Sequence, residues 1–434
     1  MFPRTIVAGL RRAAWLAVVL LLTGGIAACR DDAGSASADG PVQLSVFWWG
    51  GQERATRTER ALQVYTQRHP EVTFRVTWQG PGGYYERLAT QAGGGNPPDL
   101  FQLDDSYLTE YAQRDIVLDL TSSVDSRRLD LSRLSPGLVQ YGTVAGRLMA
   151  VAAAENTPAI VYNRDLLRRL GLPEPFTGMS YDDFLDWARR VTDSGGGRVA
   201  GTMDASADIR AFWVWLRASG RELYQGPRLA CTATEVARWF ELWQRARASR
   251  ATPSAAVVQG AHSDDLRRQL VVTGRAATSF VWSHQLPELQ RQSRDTLGIA
   301  AYPGDPEAQW ARASMYWAGY RGTRHPETVA DVINFLTNDP DAGRILGNDR
   351  GLSANLDVRR LVGPALTEPG AKLAAEFETD MSRRFGPAPP PPPRGHDRIR
   401  ALLVEAAEDV QSGRRTSRTA AEDFVRRANA ALAG

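Results

Sequence analysis

The chain has 434 residues, 43% hydrophobic and 23% charged, with a formal net charge of +3. That is enough chain for two lobes with their own cores, and 52 basic against 49 acidic residues lacks the basic surplus that nucleic acid requires. Two cysteines, Cys29 and Cys231, exclude a disulfide scaffold, and five scattered histidines without a His/Cys cluster give no metal site.

At the N-terminus, Arg4, Arg11 and Arg12 accompany the apolar run Ala13–Leu22, and Ile26-Ala27-Ala28-Cys29 follows. The run is too short to span a bilayer. Its order resembles a bacterial lipoprotein signal peptide over residues 1–28, with Cys29 lipidated as the new N-terminus; an ordinary cleaved signal is the other reading. Cleavage leaves 49 basic and 49 acidic residues. Residues 29–40 are rich in Ser, Ala, Gly and Asp and read as a flexible tether. With Cys29 lipidated, Cys231 has no partner and reads as a small buried hydrophobe. No second stretch is apolar enough to cross a membrane.

The mature chain opens on Val42–Gly51, VQLSVFWWGG. Alternation at Val42, Leu44 and Val46, then Phe47-Trp48-Trp49, predicts a buried strand. It ends at Gly50-Gly51, where the backbone can turn sharply and a ligand can approach. Adjacent strand side chains point to opposite faces, so at most one of Trp48 and Trp49 meets a ligand. Glu53–Arg68 is helical, and Thr73–Trp78 alternates as a strand. Tyr85, Leu88, Ala89 and Ala92 mark a second helix, Asp99–Leu103 a third strand, and Asp104-Asp105-Ser106 caps a third helix. This βαβαβ run is the signature of a parallel sheet. Gly146–Tyr162 reads as two strands separated by a polar break at Glu155-Asn156. Further on come Trp-rich helices at Ala211–Leu216 and Ala237–Ala246, then the apolar Phe280-Val281-Trp282 after Gly274. Helices follow at Thr328–Leu336 and Gly343–Leu346. Gly386–Gly395, GPAPPPPPRG, must be extended and solvated, and two amphipathic helices close the chain.

Five landmarks stand in order behind the lipobox: Val46–Gly51, Gly94–Leu103, Gly146–Leu167, Gly274–Trp282 and Arg350–Asn355. With them the chain resembles the extracellular solute-binding proteins of bacterial ABC importers, in the carbohydrate-binding group that includes maltose-binding protein. The resemblance covers nearly all of the mature chain. It implies an α/β fold of two lobes, periplasmic-binding-protein-like. Each lobe is a mostly parallel sheet flanked by helices, with a ligand cleft between them. Lobe one would be 41–153 with 303–345, and lobe two 154–302 with 346–434. It also implies a lipid-anchored, extracytoplasmic monomer that binds a sugar or oligosaccharide and delivers it to ABC permease subunits in the membrane. No cofactor is implied. Glu155 matches a sugar-contacting position, and Trp213 and Trp282 match cleft aromatics.

The residues support this independently. Aromatic faces suit the apolar C–H faces of a sugar, and charge-assisted hydrogen bonds suit its hydroxyls. Trp48, Trp49, Trp213, Trp282 and Trp317 supply rings; Gln52, Asp104, Asp105, Glu155, Asn156 and Arg350 supply polar groups. Arg321, Arg350 and Arg394 leave room for an acidic sugar. Trp187, Trp215, Trp239 and Trp243 sit at helical spacing and read as core, and Asp104 or Asp105 doubles as a helix cap. Two rivals stay open: a secreted glycoside hydrolase, and a ligand-binding sensor that transports nothing. Against the first, no carboxylate pair stands out beyond Asp104-Asp105, and there is no G-x-S-x-G or phosphate loop.

Overall fold

The computed structural model describes residues 40–80, 82–261 and 265–433. The signal stretch 1–28, Cys29 and the tether up to residue 39 lie outside the described residues.

Strand β1 (Val42–Trp49) buries Leu44, Val46, Phe47 and Trp48. Helix α1 (Gln52–Arg68) turns Ala55, Thr58, Ala61, Leu62 and Tyr65 inward, the spacing of one helical face. β2 (Val72–Gln79), α2 (Tyr84–Gly93), β3 (Leu100–Leu103) and α3 (Asp105–Gln113) follow. β1 lies between β2 and β3 and is parallel to both. A short helix, α4 (Pro136–Tyr141), leads to β4 (Val151–Asn156) in the same sheet, and β5 (Pro158–Asn163) starts a different one. The chain thus changes sheets at Thr157. Glu155 and Asn156, expected as a polar break, complete β4 and pair with Ala313 and Arg312.

The second sheet holds β5 between β6 (Thr278–Trp282) and β7 (Leu297–Ala301). The chain returns to the first sheet with β8 (Arg312–Gly319), between β3 and β4. β9 (Leu352–Ser353) pairs with the outer edge of β4. The orders are β9-β4-β8-β3-β1-β2 and β6-β5-β7. The expectation of mostly parallel sheets holds only for β1, β2 and β3. β8 re-enters from the other sheet and runs back against β3 and β4, and both pairings of β5 are antiparallel. Leu352–Ser353, expected with lobe two, belongs to the first sheet, where it satisfies an edge that would otherwise stay unpaired.

Around the second sheet, α5 (Ile209–Ala218) and α6 (Ala233–Ala248) bring in their tryptophans. Trp187, Trp239 and Trp243 are fully buried. Trp243 meets Trp239 edge-on at 5.7 Å and Phe280 at 5.9 Å, a favoured aromatic geometry. α7 (Pro369–Met381) packs on β7, and α8 (His396–Gln411) and α9 (Ser417–Ala433) pair with each other and with α6. Cys231 is buried, and burial pushes its thiol up to about 12, as expected of a packing residue rather than a reactive one. Among the described residues no helix is long and apolar enough to cross a membrane.

Trp48 is fully buried, and its indole N–H has no acceptor among the described residues. Trp48→Ala therefore removes packing alone and lowers stability by about 3–5 kcal/mol. Trp48→Phe, which abandons no hydrogen bond and leaves a smaller cavity, costs less, about 1–3 kcal/mol. Urea unfolding of both variants measures the difference.

Candidate functional site

A cleft of about 1900 Å³ opens between the two sheets. From the first sheet and its helices come Trp49, Arg54, Asp104 and Asp105. From the second come Asp208, Arg210, Trp213, Trp282 and His284. Asn156 at the end of β4 and Arg312 at the start of β8 also come from the first sheet, and Trp310 comes from the segment leading into β8. β1 delivers Trp49 to this space because the chain turns at once. Gly50 has φ +153°, and a Cβ there would lie 2.3 Å from the Arg54 side chain. The Trp49 carbonyl accepts from Arg54 Nη1 (3.2 Å) and Gln102 Nε2 (3.3 Å). The indole stands edge-on to Tyr84 at 5.0 Å.

The floor is made of paired charges. Arg312 forms an ion pair with Asp105, whose carboxylate also accepts from the Tyr141 hydroxyl at 2.8 Å. Arg210 donates from Nε to Asp208 at 2.9 Å, and Asp208 also caps α5. Both guanidiniums lie over the Trp282 ring, Arg210 at 4.7 Å and Arg312 at 4.6 Å from its centroid. Burial alone would raise both aspartates, but Arg312 outweighs it at Asp105 and Arg210 at Asp208, so both carboxyls are held below the usual range. Burial likewise works against the two arginines, and their carboxylates prevail, so they stay charged.

Among the described residues, Asp104 and His284 form no such ion pair. Asp104 caps α3 by accepting from Ser106 N at 2.9 Å, and burial, then the charge of Asp105, push it up to about 6. His284 lies beside Asn156, with Asn156 Nδ2 and His284 Nδ1 2.9 Å apart. Burial, then the charge of Arg54, lower the His284 pKa to about 4, so the ring is neutral near pH 7. Asn156 Oδ1 is buried without a donor among the described residues. An unmatched buried acceptor is costly, so this oxygen is a natural receiver for a ligand hydroxyl.

Of the residues expected from sequence, Trp49, Asp104, Asp105, Asn156, Trp213 and Trp282 line the cleft. The others do not. Trp48 and Trp317 are core, buried on inward faces of their strands. Gln52 is exposed on the first turn of α1, while Arg54, two residues on, turns inward. Glu155 is 1% exposed and is held by Arg359 at 3.2 Å, on the face of β4 away from the cleft. Arg350 is buried beneath β1, donating to Gln102 Oε1 and Thr58 Oγ1, both at 2.8 Å, and stacking on Trp317. Arg321 pairs with Asp115 on the surface, and Arg394 is exposed. Asp105 lines the cleft but is engaged by Arg312.

The sequence reading missed Arg54, Arg210, Arg312 and His284. Asp208 carried a usable signal, an aspartate directly before a Trp-rich helix. Arg312 carried none, since its partners are supplied by residues far away in the chain.

Asp104→Asn isolates one consequence of this geometry. The folded carboxyl keeps a proton that the unfolded chain releases between about pH 4 and 6, so the stability that Asp104 contributes is lost as pH rises through that window. Asparagine keeps the cap and cannot ionise. The variant should gain about 1–2 kcal/mol on wild type between pH 4 and pH 7, read by urea unfolding of both proteins at the two pH values.

A model of the bacterial extracellular solute-binding proteins matches residues 50–342. An extracellular solute-binding protein family 1 structure from Alicyclobacillus acidocaldarius superposes with a TM-score of 0.74 at 24% identity, covering 92% of this chain and 100% of that one. A periplasmic oligogalacturonide-binding protein from Yersinia enterocolitica gives 0.74 at 19% identity, covering 90% and 99%. These likenesses concern the fold. A lactose-binding protein of Rhizobium radiobacter is 20% identical over 153 residues, 34% of this chain and 36% of that relative. With the two-lobed fold and a family match over residues 50–342, the chain belongs to the bacterial extracellular solute-binding proteins, a family that binds substrate rather than transforming it.

Proposed function

We propose that this protein is the lipid-anchored, extracytoplasmic substrate-binding component of an ABC importer for a sugar or oligosaccharide. The observation that carries the reading is the cleft itself. Indoles from both sides, Trp49 on one and Trp213 and Trp282 on the other, stand among charged and amide groups. Rings for C–H faces and fixed donors and acceptors for hydroxyls are the complement of a carbohydrate. The names of the relatives point the same way, with lactose for the Rhizobium protein and oligogalacturonide for the Yersinia one.

Lobe one in this reading is built on the first sheet and lobe two on the second, with the chain crossing at Thr157, over 302–311 and between Ser353 and Pro369. Trp49, Asp104, Asn156, Trp213 and Trp282 contact ligand, joined by Arg210, Arg312 and His284. Closure follows because only the closed form lets both lobes touch one ligand. The delivery partner is a membrane permease, and the anchor is Cys29.

A thermal-shift screen of neutral and acidic glycans, followed by calorimetric titration, tests the ligand class. A true ligand at a hundred times its Kd stabilises by about 2.7 kcal/mol. Trp282→Ala should weaken that glycan roughly ten- to a hundredfold, since the ring supports both guanidiniums. No stabilisation by any glycan, or recovery of hydrolysed glycan, overturns the reading. The anchor has its own test: Cys29→Ser should release the protein from membranes or leave its precursor uncleaved, and normal processing with retained membrane association refutes lipidation.

A further inference from the structure

The segment 386–395, expected to be extended and solvated, is solvated only in part. Residues 386–393 form neither helix nor strand; Pro389, Pro392 and Pro393 are buried, while Pro387, Pro390 and Arg394 are exposed. Prolines have no N–H, so such a run can be anchored only through its carbonyls. Here the anchors come from both lobes. Arg217 on α5 donates from Nη2 to Pro387 O at 2.6 Å, and from Nε to Ala308 O at 2.8 Å. Gln140 on α4 donates to Ala388 O at 3.3 Å, and the buried Thr109 hydroxyl on α3 donates to Pro392 O at 2.6 Å.

The entry point is equally constrained. Gly386 N donates to Gln309 O at 3.0 Å, and a Cβ on Gly386 would lie 2.1 Å from the Glu307 carbonyl oxygen. Glu307 and Gln309 belong to the segment that carries the chain from β7 back to β8. The run therefore leaves α7 beside the second sheet and touches this crossing. It is then pinned on two helices of the first sheet and ends at α8, which packs on α6. It stays outside the ligand cleft, whose lining resumes at His396.

We propose that residues 386–395 are a rigid strap that limits the swing of the two lobes about their crossings. A Gly/Ser linker of this length would follow any lobe motion at little cost. A proline run holds φ near −65° and about 3.1 Å per residue, so five prolines span about 16 Å that neither folds nor stretches. The second-sheet anchor is at Pro387 and the first-sheet anchors are at Ala388 and Pro392, so the stiff run is held along the first lobe, from the contact with Arg217 to the start of α8.

The test needs no ligand and is independent of the sugar reading. In the full-length Cys29→Ser chain, spin labels on Arg75→Cys and Arg294→Cys, exposed positions on opposite lobes, report the distance distribution by pulsed electron resonance. Replacing Pro389–Pro393 with alternating Gly and Ser should broaden that distribution and lengthen its mean. The pair Thr109→Val and Gln140→Ala, which keeps every proline but removes the lobe-one anchors, should do the same to a smaller degree. This second variant keeps the test decisive when the Gly/Ser chain does not fold. An unchanged distribution in the folded variants, even with a lowered Tm, makes the segment simple packing and overturns the proposal.

Discussion

A guanidinium withdrawn from water must be given its opposite charge, and the centre of this protein is arranged to do so for Arg312. It begins β8, pairs in register with Asn156 of β4, forms an ion pair with Asp105 from α3 and lies over Trp282 at the end of β6. One side chain therefore touches elements of both sheets at the place where the chain crosses between them. Replacing such a pair by apolar residues is often harmless, but removing one partner leaves a buried charge alone and typically costs 3–5 kcal/mol. The geometry of the cleft floor is thus held by the penalty for breaking it. Arg210 and Asp208 repeat the device against the same indole.

The first crossing is held by the same logic with the signs reversed. Glu155, next to last in β4, lies in the grip of Arg359. Glu378, reaching from α7, accepts from the Thr157 amide and the Thr157 hydroxyl, both at 2.7 Å, and from the Ser283 hydroxyl. Burial, then the neighbouring Glu155, push Glu378 up to about 7. The single residue between β4 and β5 has both its donors engaged by one carboxylate. Two acidic groups near each other are tolerated here because one has its arginine and the other has three donors.

Much of the fold was legible along the chain. Alternation marked β1, helical spacing marked the buried tryptophans of the second lobe, and the βαβαβ order predicted the parallel core of the first sheet. The lining of the cleft was legible where position alone aims a residue. Trp49 ends a strand before two glycines, Asp104 caps a helix after a strand, and Trp282 ends an apolar run. It was not legible where two neighbours compete for one face. Trp48 and Trp49 differ by one residue, and so do Glu155 and Asn156. In each pair one side chain meets the cleft and the other meets the interior, because strand side chains alternate. Gln52 and Arg54 make the same point on a helix.

Period, order and composition suffice for the two-lobed class, the strand ends that face a cleft and the near-balance of charge along the chain, since each depends on near neighbours or on sums over the chain. Partner choice depends on neither. Arg312 finds Asp105, Arg359 finds Glu155, and Thr109 finds Pro392 across some two hundred residues or more. Which arginine lines the cleft and which lies beneath it, and whether a run of prolines hangs in solvent or binds two lobes, follows from those distant contacts. A charge or a carbonyl carries no mark in the sequence of the group that will neutralise it; folding supplies that group by bringing remote segments within hydrogen-bonding distance.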